Sequence, residues 1–176
     1  MTTAPRAASV HASAVLVGNR AVLIRGPSGA GKSRLAFDLI LAGRAGQIPE
    51  AVLVGDDRVH LDTCDGQLVV RPVRQLAGLI EIRGLGIRRC AFAKEAIVGL
   101  VVDLAAEDAE RLPAPEKLQT LISGIELPRI PVGAGYPPLP LVVAALTTTA
   151  GSVPPRPTSD CVKGIGNHMM PSIATE

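Results

Sequence analysis

Eight consecutive residues, Gly26-Pro27-Ser28-Gly29-Ala30-Gly31-Lys32-Ser33, satisfy the pattern GxxxxGK[ST] at every fixed position. The residue types explain what such a stretch can do. A polyphosphate needs several converging N–H donors, and glycine lets the backbone turn tightly and approach closely. Lys32 supplies a point charge for the outer phosphates, and the Ser33 hydroxyl is a Mg2+ ligand. A following helix points its positive end at the anion. Phosphoryl transfer asks for two further groups: a carboxylate for the metal and an acceptor for the incoming hydroxyl's proton. Two apolar runs end in acid, residues 51–54 leading to Asp56-Asp57 and residues 100–102 leading to Asp103, and either resembles a Walker B element. Adjacent acids after Gly55 place one carboxylate on each side of an extended backbone, so one can face a metal and the other an acceptor. Asp103, followed by Leu104, also reads as a plain strand end or helix cap. His11 is either a structural strand histidine or an orienter of an active-site aspartate. Glu81 and Arg83 share one strand face, as a surface ion pair or as a metal ligand beside a phosphate clamp.

The elements that must hold these residues follow from pattern. Residues 10–17 and 21–25 read as strands joined at Gly18-Asn19, a two-residue hairpin signal, and the second feeds the glycine-rich loop. A helical pattern runs over 34–42, with Leu35, Leu39 and Ala42 in phase and Gly43 as its C-terminal cap. Residues 51–54 form the next strand. A hairpin over 59–61 and 67–71 turns at Asp65-Gly66, and Pro72 opens a short helical turn through Leu76. Residues 79–83 form a strand before the tight Gly84-Leu85-Gly86. Residues 96–104 form a buried strand, 117–122 and 125–130 a third hairpin around Ser123-Gly124, and 139–149 a last helix. Residues 1–8 read as a frayed lead-in and residues 150–176, rich in Pro, Gly and Ser without apolar period, as a flexible tail behind a catalytic domain over 1–149. Many strands and few helices predict an α/β fold with a mixed rather than purely parallel sheet.

Composition narrows the function classes. The chain has 176 residues, 47% of them hydrophobic, and a formal charge of +2, with no long basic run. Two Phe, one Tyr and no Trp leave no stacking platform for single-stranded nucleic acid, so nucleic acid is excluded as a partner. No apolar run approaches the roughly 20 residues of a membrane span, which predicts a soluble cytoplasmic protein. Cys64, Cys90 and Cys161 have no metal or CxxC spacing and read as free thiols of a reducing compartment.

A histidine one hairpin before the loop, Asp56-Asp57-Arg58 after the next strand, and then Glu81-Ile82-Arg83-Gly84-Leu85-Gly86-Ile87 form a more specific combination. It resembles the catalytic domain of bacterial HPr kinase/phosphorylase, over roughly residues 9–149. The resemblance implies a fold like that of phosphoenolpyruvate carboxykinase, a mixed sheet around a P-loop. It also implies an ATP- and Mg2+-dependent serine kinase acting on an HPr-like phosphocarrier of the sugar phosphotransferase system, with the reverse dephosphorylation in the family's repertoire. On this sequence Asp56 would be the catalytic base, His11 would sit against Asp56, and Lys32 with the amides of residues 26–33 would hold the phosphates. Ser33, Asp57 and Glu81 would surround the metal, and Arg83 would face phosphate or hold the geometry. Members assemble as hexamers, which implies a homo-oligomer here. There are departures. The family's usual Asp after the first loop glycine is Pro27, and its usual Glu after the loop serine is Arg34. The family's Pro-Val-x-Pro-Gly-Arg-Asn loop reads Pro131-Val132-Gly133-Ala134-Gly135-Tyr136-Pro137, without the arginine. Against the family pattern the sequence reads as a short form without the N-terminal regulatory domain, as expected of a short proteobacterial branch. A P-loop kinase of a small metabolite and a non-catalytic nucleotide-binding regulatory module are the alternatives.

Overall fold

The structure, a computed structural model, describes residues 8–151; almost all of the expected lead-in, Cys161 and all but the start of the expected tail lie outside that range. Among the described residues ten strands and two α-helices follow one another as β1 (Ser13–Val17), β2 (Arg20–Arg25), α1 (Lys32–Arg44), β3 (Ala51–Gly55), β4 (Val59–Cys64), β5 (Gln67–Pro72), β6 (Leu79–Ile82), β7 (Gly86–Arg89), β8 (Ala96–Leu104), β9 (Gln119–Ile122), β10 (Ile125–Val132) and α2 (Pro138–Thr147). Single turns of 3-10 helix cover Arg74–Leu76 and Pro115–Leu118. The main sheet runs β3-β1-β2-β8-β10-β9, with β5 joined to β8 and β4 to β5; β6 and β7 form a separate two-stranded sheet. Strand β8 lies parallel to both β2 and β10, while β1 is antiparallel to β2 and β3. The sheet is therefore mixed, as the strand-rich pattern predicts.

The three two-residue hairpins form where the turn residues place them. Gly18 has φ 60, and Asp65-Gly66 and Ser123-Gly124 each have two positive φ values, the backbone that right-handed strand twist requires. Both faces of the sheet are covered. Val15, Val22, Ile24, Leu53 and Val102 pack with Leu35 and Leu39 of α1 on one side. Ala14, Leu23, Val54, Val98 and Val101 pack with Val59, Leu68 and Val70 of the β4–β5 hairpin on the other. Two β-bulges set the facing. In β8 the register against β2 shifts at Gly99, so Val98 and Leu100 lie in opposite cores although they are two residues apart. A Cβ on Gly99 would stand 2.8 Å from Arg20 Cβ. In β3 the pairs Val15↔Leu53 and Ala14↔Gly55 leave Val54 as the extra residue.

Three sequence expectations need correction. Gly43 does not cap α1 but lies inside it, where a Cβ would meet Ala51 Cβ and N at 2.8 Å; the helix runs one residue further, to Arg44, with Ala45 as its C-cap and Gly46 following at φ 72. His11 is not on a strand: only Val10 bridges to Val59, and β1 begins at Ser13. Residues 86–89 form β7, a strand whose residues are all exposed and so carry no apolar alternation.

Candidate active site

Strand β2 ends at Arg25 and α1 begins at Lys32, so residues 26–31 turn the chain between a parallel strand and a helix N-terminus. Gly26 has φ 147, and a Cβ on it would lie 2.9 Å from the Leu104 carbonyl at the end of β8, so the loop is seated directly on the neighbouring strand. Gly31 occupies the N-cap in a left-handed conformation with no side chain capping the helix, which leaves the first amides of α1 directed at the loop. Lys32 is buried, and its Nζ donates to the carbonyls of Gly26 and Pro27, both at 2.9 Å. Burial pushes the ammonium below its usual value, against the opposing pull of Asp57 and Asp56. Both carboxylates thus act electrostatically on the loop lysine.

The two acids have different surroundings. Asp56 is 4% exposed. Its Oδ1 accepts from Ser13 Oγ at 2.6 Å and its Oδ2 from the Glu81 backbone N–H at 3.1 Å. Asp57 adopts φ 65 and leaves its side chain 66% exposed, with Oδ1 3.4 Å from His11 Nε2. The expected contact of His11 with Asp56 is therefore replaced by one with Asp57: the left-handed residue swings its carboxylate outward, where His11 lies. Glu81 reaches Asp56 through its main chain, and its side chain is exposed on β6; Arg83 is exposed in the turn between β6 and β7. Ser33 is half-buried in the first turn of α1. Among the described residues no three His, Cys, Asp or Glu side chains converge into a ready metal cage. The hydroxyl of Ser33 and the carboxylate of Asp57 are hard oxygen donors of the kind Mg2+ takes, and Mg2+ commonly combines one or two protein ligands with substrate phosphates.

Asp103, the other strand-end acid, is engaged elsewhere. Arg25 donates to it through Nε (2.7 Å) and Nη2 (2.8 Å), and Arg129 through Nε (2.5 Å). Arg129 also forks onto Asp108 at 2.7 and 2.9 Å. Burial works to raise the Asp103 carboxyl, but the hydrogen bonds from Arg25 and Arg129 outweigh it and hold the group below the usual carboxylate range. This acid ties β2, β8 and β10 together. Two participants had no motif to reveal them. Ser13 is a buried serine at the start of an apolar strand, and Arg129 interrupts one; a polar residue on a buried strand face was the available signal.

A mixed sheet that feeds a glycine-rich loop into a helix, with strand-end carboxylates acting on the loop lysine, defines an α/β domain of the phosphate-loop class. Within that class the relationship is specific. Residues 3–150 match the family described as HPr Serine kinase C-terminal domain, and the chain belongs to that family. Relatives named HPr kinase/phosphorylase include those of Mycoplasma mycoides (32% identical over 142 residues, 73% of this chain and 43% of the relative), Bordetella pertussis (34% over 155, 80% and 48%) and Enterococcus faecalis (38% over 141, 72% and 43%). The chain spans less than half the length of these relatives. The solved Hpr(Ser) kinase/phosphatase of Coxiella burnetii superposes with a TM-score of 0.62 at 28% identity, covering 79% of this chain and 93% of that one.

Proposed function

We propose that this domain transfers the γ-phosphate of ATP, with Mg2+, to a serine of an HPr-like phosphocarrier. The observation that carries the reading is the placement of Asp56: buried, held at both carboxylate oxygens, and acting electrostatically on the lysine of the phosphate loop. Family membership supplies the acceptor class. In this mechanism Lys32 leaves the loop carbonyls for the outer phosphates, and the first amides of α1 bind phosphate oxygens. Asp56 takes the proton of the attacking serine hydroxyl as the phosphoryl group passes in line. Ser33, Asp57 and Glu81 would hold Mg2+, which when bound would supply charge neutralisation on the phosphates. Arg83 would face phosphate or hold the site's geometry. We extend the proposal to a reaction in the cytoplasm, to a homo-hexameric assembly, and to reversal of the transfer as in the relatives' phosphorylase name. Among the described residues no helix is long and apolar enough to cross a membrane, and Cys64 and Cys90 are free thiols.

A second assignment within the site is favoured by the contact of His11 with the exposed Asp57. There, Asp57 with His11 would accept the proton and buried Asp56 would face the metal. The experiment is phosphoserine formation on HPr from labelled ATP, with Asp56→Asn and Asp57→Asn side by side. Loss of the base abolishes transfer while Mg2+-dependent nucleotide affinity survives; loss of the metal ligand weakens that affinity. Transfer by Asp56→Asn at the unaltered rate refutes Asp56 as base. Absence of transfer to any HPr by the unaltered protein refutes the function.

A further inference from the structure

We propose that Ser13, together with the β-bulge at Val54, is the positioning device that aims the Asp56 carboxylate at the phosphate loop; the inference rests on the reading of Asp56 as an active-site acid. The backbone argument comes first. Along β1 and β3 the pairs Val17↔Ala51, Leu16↔Val52 and Val15↔Leu53 are in simple antiparallel register. Continued without interruption, that register would set Ser13 opposite Gly55. Ala51 and Leu53 point to the α1 side of the sheet, so plain alternation would send Asp56 to the other side, into the core under the β4–β5 hairpin. The bulge prevents this. Val54 points to the β4–β5 side, Gly55 pairs with Ala14, and the next position on each strand sets Asp56 opposite Ser13. Ser13 alternates with Ala12 and Ala14, both in the β4–β5 core, and so shares the α1 side with Val15. The loop and the N-terminus of α1 lie on that side.

The side-chain argument follows. Ser13 is fully buried, and its hydroxyl lies 2.6 Å from Asp56 Oδ1. The Glu81 amide holds Oδ2 from a different sheet. Two donors, one on each oxygen, fix the carboxylate plane, while each oxygen keeps a lone pair for an incoming proton or ligand. A hydrogen bond to a charged acceptor has enough energy to hold one orientation against thermal motion. Gly55 leaves room for the kink, since a Cβ there would lie 2.8 Å from Val59 Cγ1. This is the role expected of His11 from its sequence position, carried out two residues further on by a serine.

The test uses the whole chain with Ser13→Ala, which removes the hydroxyl, and Ser13→Thr, which keeps it on a β-branched frame suited to a strand. Three quantities are read: kcat and KM for phosphorylation of HPr, affinity for Mg2+-nucleotide, and the 15N–1H resonance of the Glu81 amide. Ser13→Ala is expected to lower kcat by roughly 10- to 100-fold, the range for losing one hydrogen bond to a charged group, with KM and nucleotide affinity within about twofold. The Glu81 amide should shift in Ser13→Ala and return in Ser13→Thr along with the rate. An unmoved Glu81 resonance in Ser13→Ala overturns the positioning role whether or not HPr is the acceptor. A moved resonance with unchanged kcat in an active protein overturns its catalytic relevance. If the unaltered protein does not phosphorylate HPr, the functional reading falls, and the resonance alone decides whether Ser13 holds Asp56.

Discussion

Replacing Asp103 by Asn separates the two strand-end acids by experiment. Asp103 accepts three charge-assisted hydrogen bonds, at 2.7 and 2.8 Å from Arg25 and 2.5 Å from Arg129. Its side chain is 16% exposed and that of Arg129 14%, so solvent screens the pair only in part; Arg25, at 34%, is more open. Breaking a fully buried ion pair costs about 3–5 kcal/mol, whereas an exposed one contributes about 0–1 kcal/mol. Asparagine keeps one acceptor oxygen but places an amide donor against a guanidinium and leaves Arg129 short of one charge. A loss of about 2–3 kcal/mol follows, which for a domain of this size lowers the melting temperature by roughly 6–12 °C. The assay is urea unfolding followed by circular dichroism, with calorimetry for the melting temperature. Asp108→Asn, which removes only the outer and exposed partner of Arg129, should cost clearly less. Mg2+-nucleotide affinity of the folded Asp103→Asn protein should stay unchanged, since Asp103 is occupied by arginines. A loss below about 0.5 kcal/mol would refute the partial-burial argument. A collapse of Mg2+-dependent affinity without loss of stability would refute the assignment of Asp103 to structure and return it to the metal.

Gly26→Ala should abolish nucleotide binding and lower stability, because its Cβ would lie 2.9 Å from the Leu104 carbonyl at a φ of 147; titration with a fluorescent nucleotide checks it, and retained affinity would refute the seating of the loop on β8. Acid should destabilise the domain through Asp103 and Asp108, whose folded carboxyls are held below their unfolded values, Asp108 chiefly by its hydrogen bonds from Arg129. Their contribution is complete above the unfolded carboxylate pKa of about 4 and is lost as pH falls through the lower folded values, so stability against pH should drop there and drop less in Asp103→Asn. Cys90 should react with iodoacetamide more slowly than exposed Cys64 at pH 7.5, because burial pushes its thiol up, opposed by Arg44 and reinforced by Asp56; peptide mass spectrometry compares the two, and equal rates would refute the burial.

Local chemistry made much of this fold readable. Gly18-Asn19, Asp65-Gly66 and Ser123-Gly124 each close a hairpin at the expected residues because turn geometry depends on two side chains and little else. The strand–loop–helix around Lys32 was equally legible. The failures have two causes: contacts distant in sequence and, for β7, an exposed strand with no apolar pattern. Gly43 looks like a helix end until Ala51 arrives to fill the space over it. Strand β7 is exposed along its whole length, and its pairing with β6 comes from hydrogen bonding across a three-residue turn rather than from apolar pattern. Ser13 and Asp56 are 43 positions apart, and Asp103 finds one partner 78 positions before it and another 26 after. No spacing rule reports such pairs.

The adjacent acids show most directly why residue types were legible and their facing was not. An extended Asp56-Asp57 would point its two carboxylates to opposite sides of β3 by simple alternation. The bulge at Val54 reverses which side the first one takes. The left-handed turn at Asp57, closed by the Arg58 amide on the Asp56 carbonyl at 2.7 Å, lifts the second out of the sheet altogether. Aspartate tolerates this backbone better than most residues, yet a left-handed conformation still has an energetic cost that the surrounding contacts must offset. Two backbone irregularities within four residues thus turn one repeated residue type into two distinct groups. One is buried and held by Ser13 and the Glu81 amide; the other is exposed beside His11. Exchange of roles between them would require both irregularities to relax, which is why Asp56→Asn and Asp57→Asn should differ in kind and not only in degree.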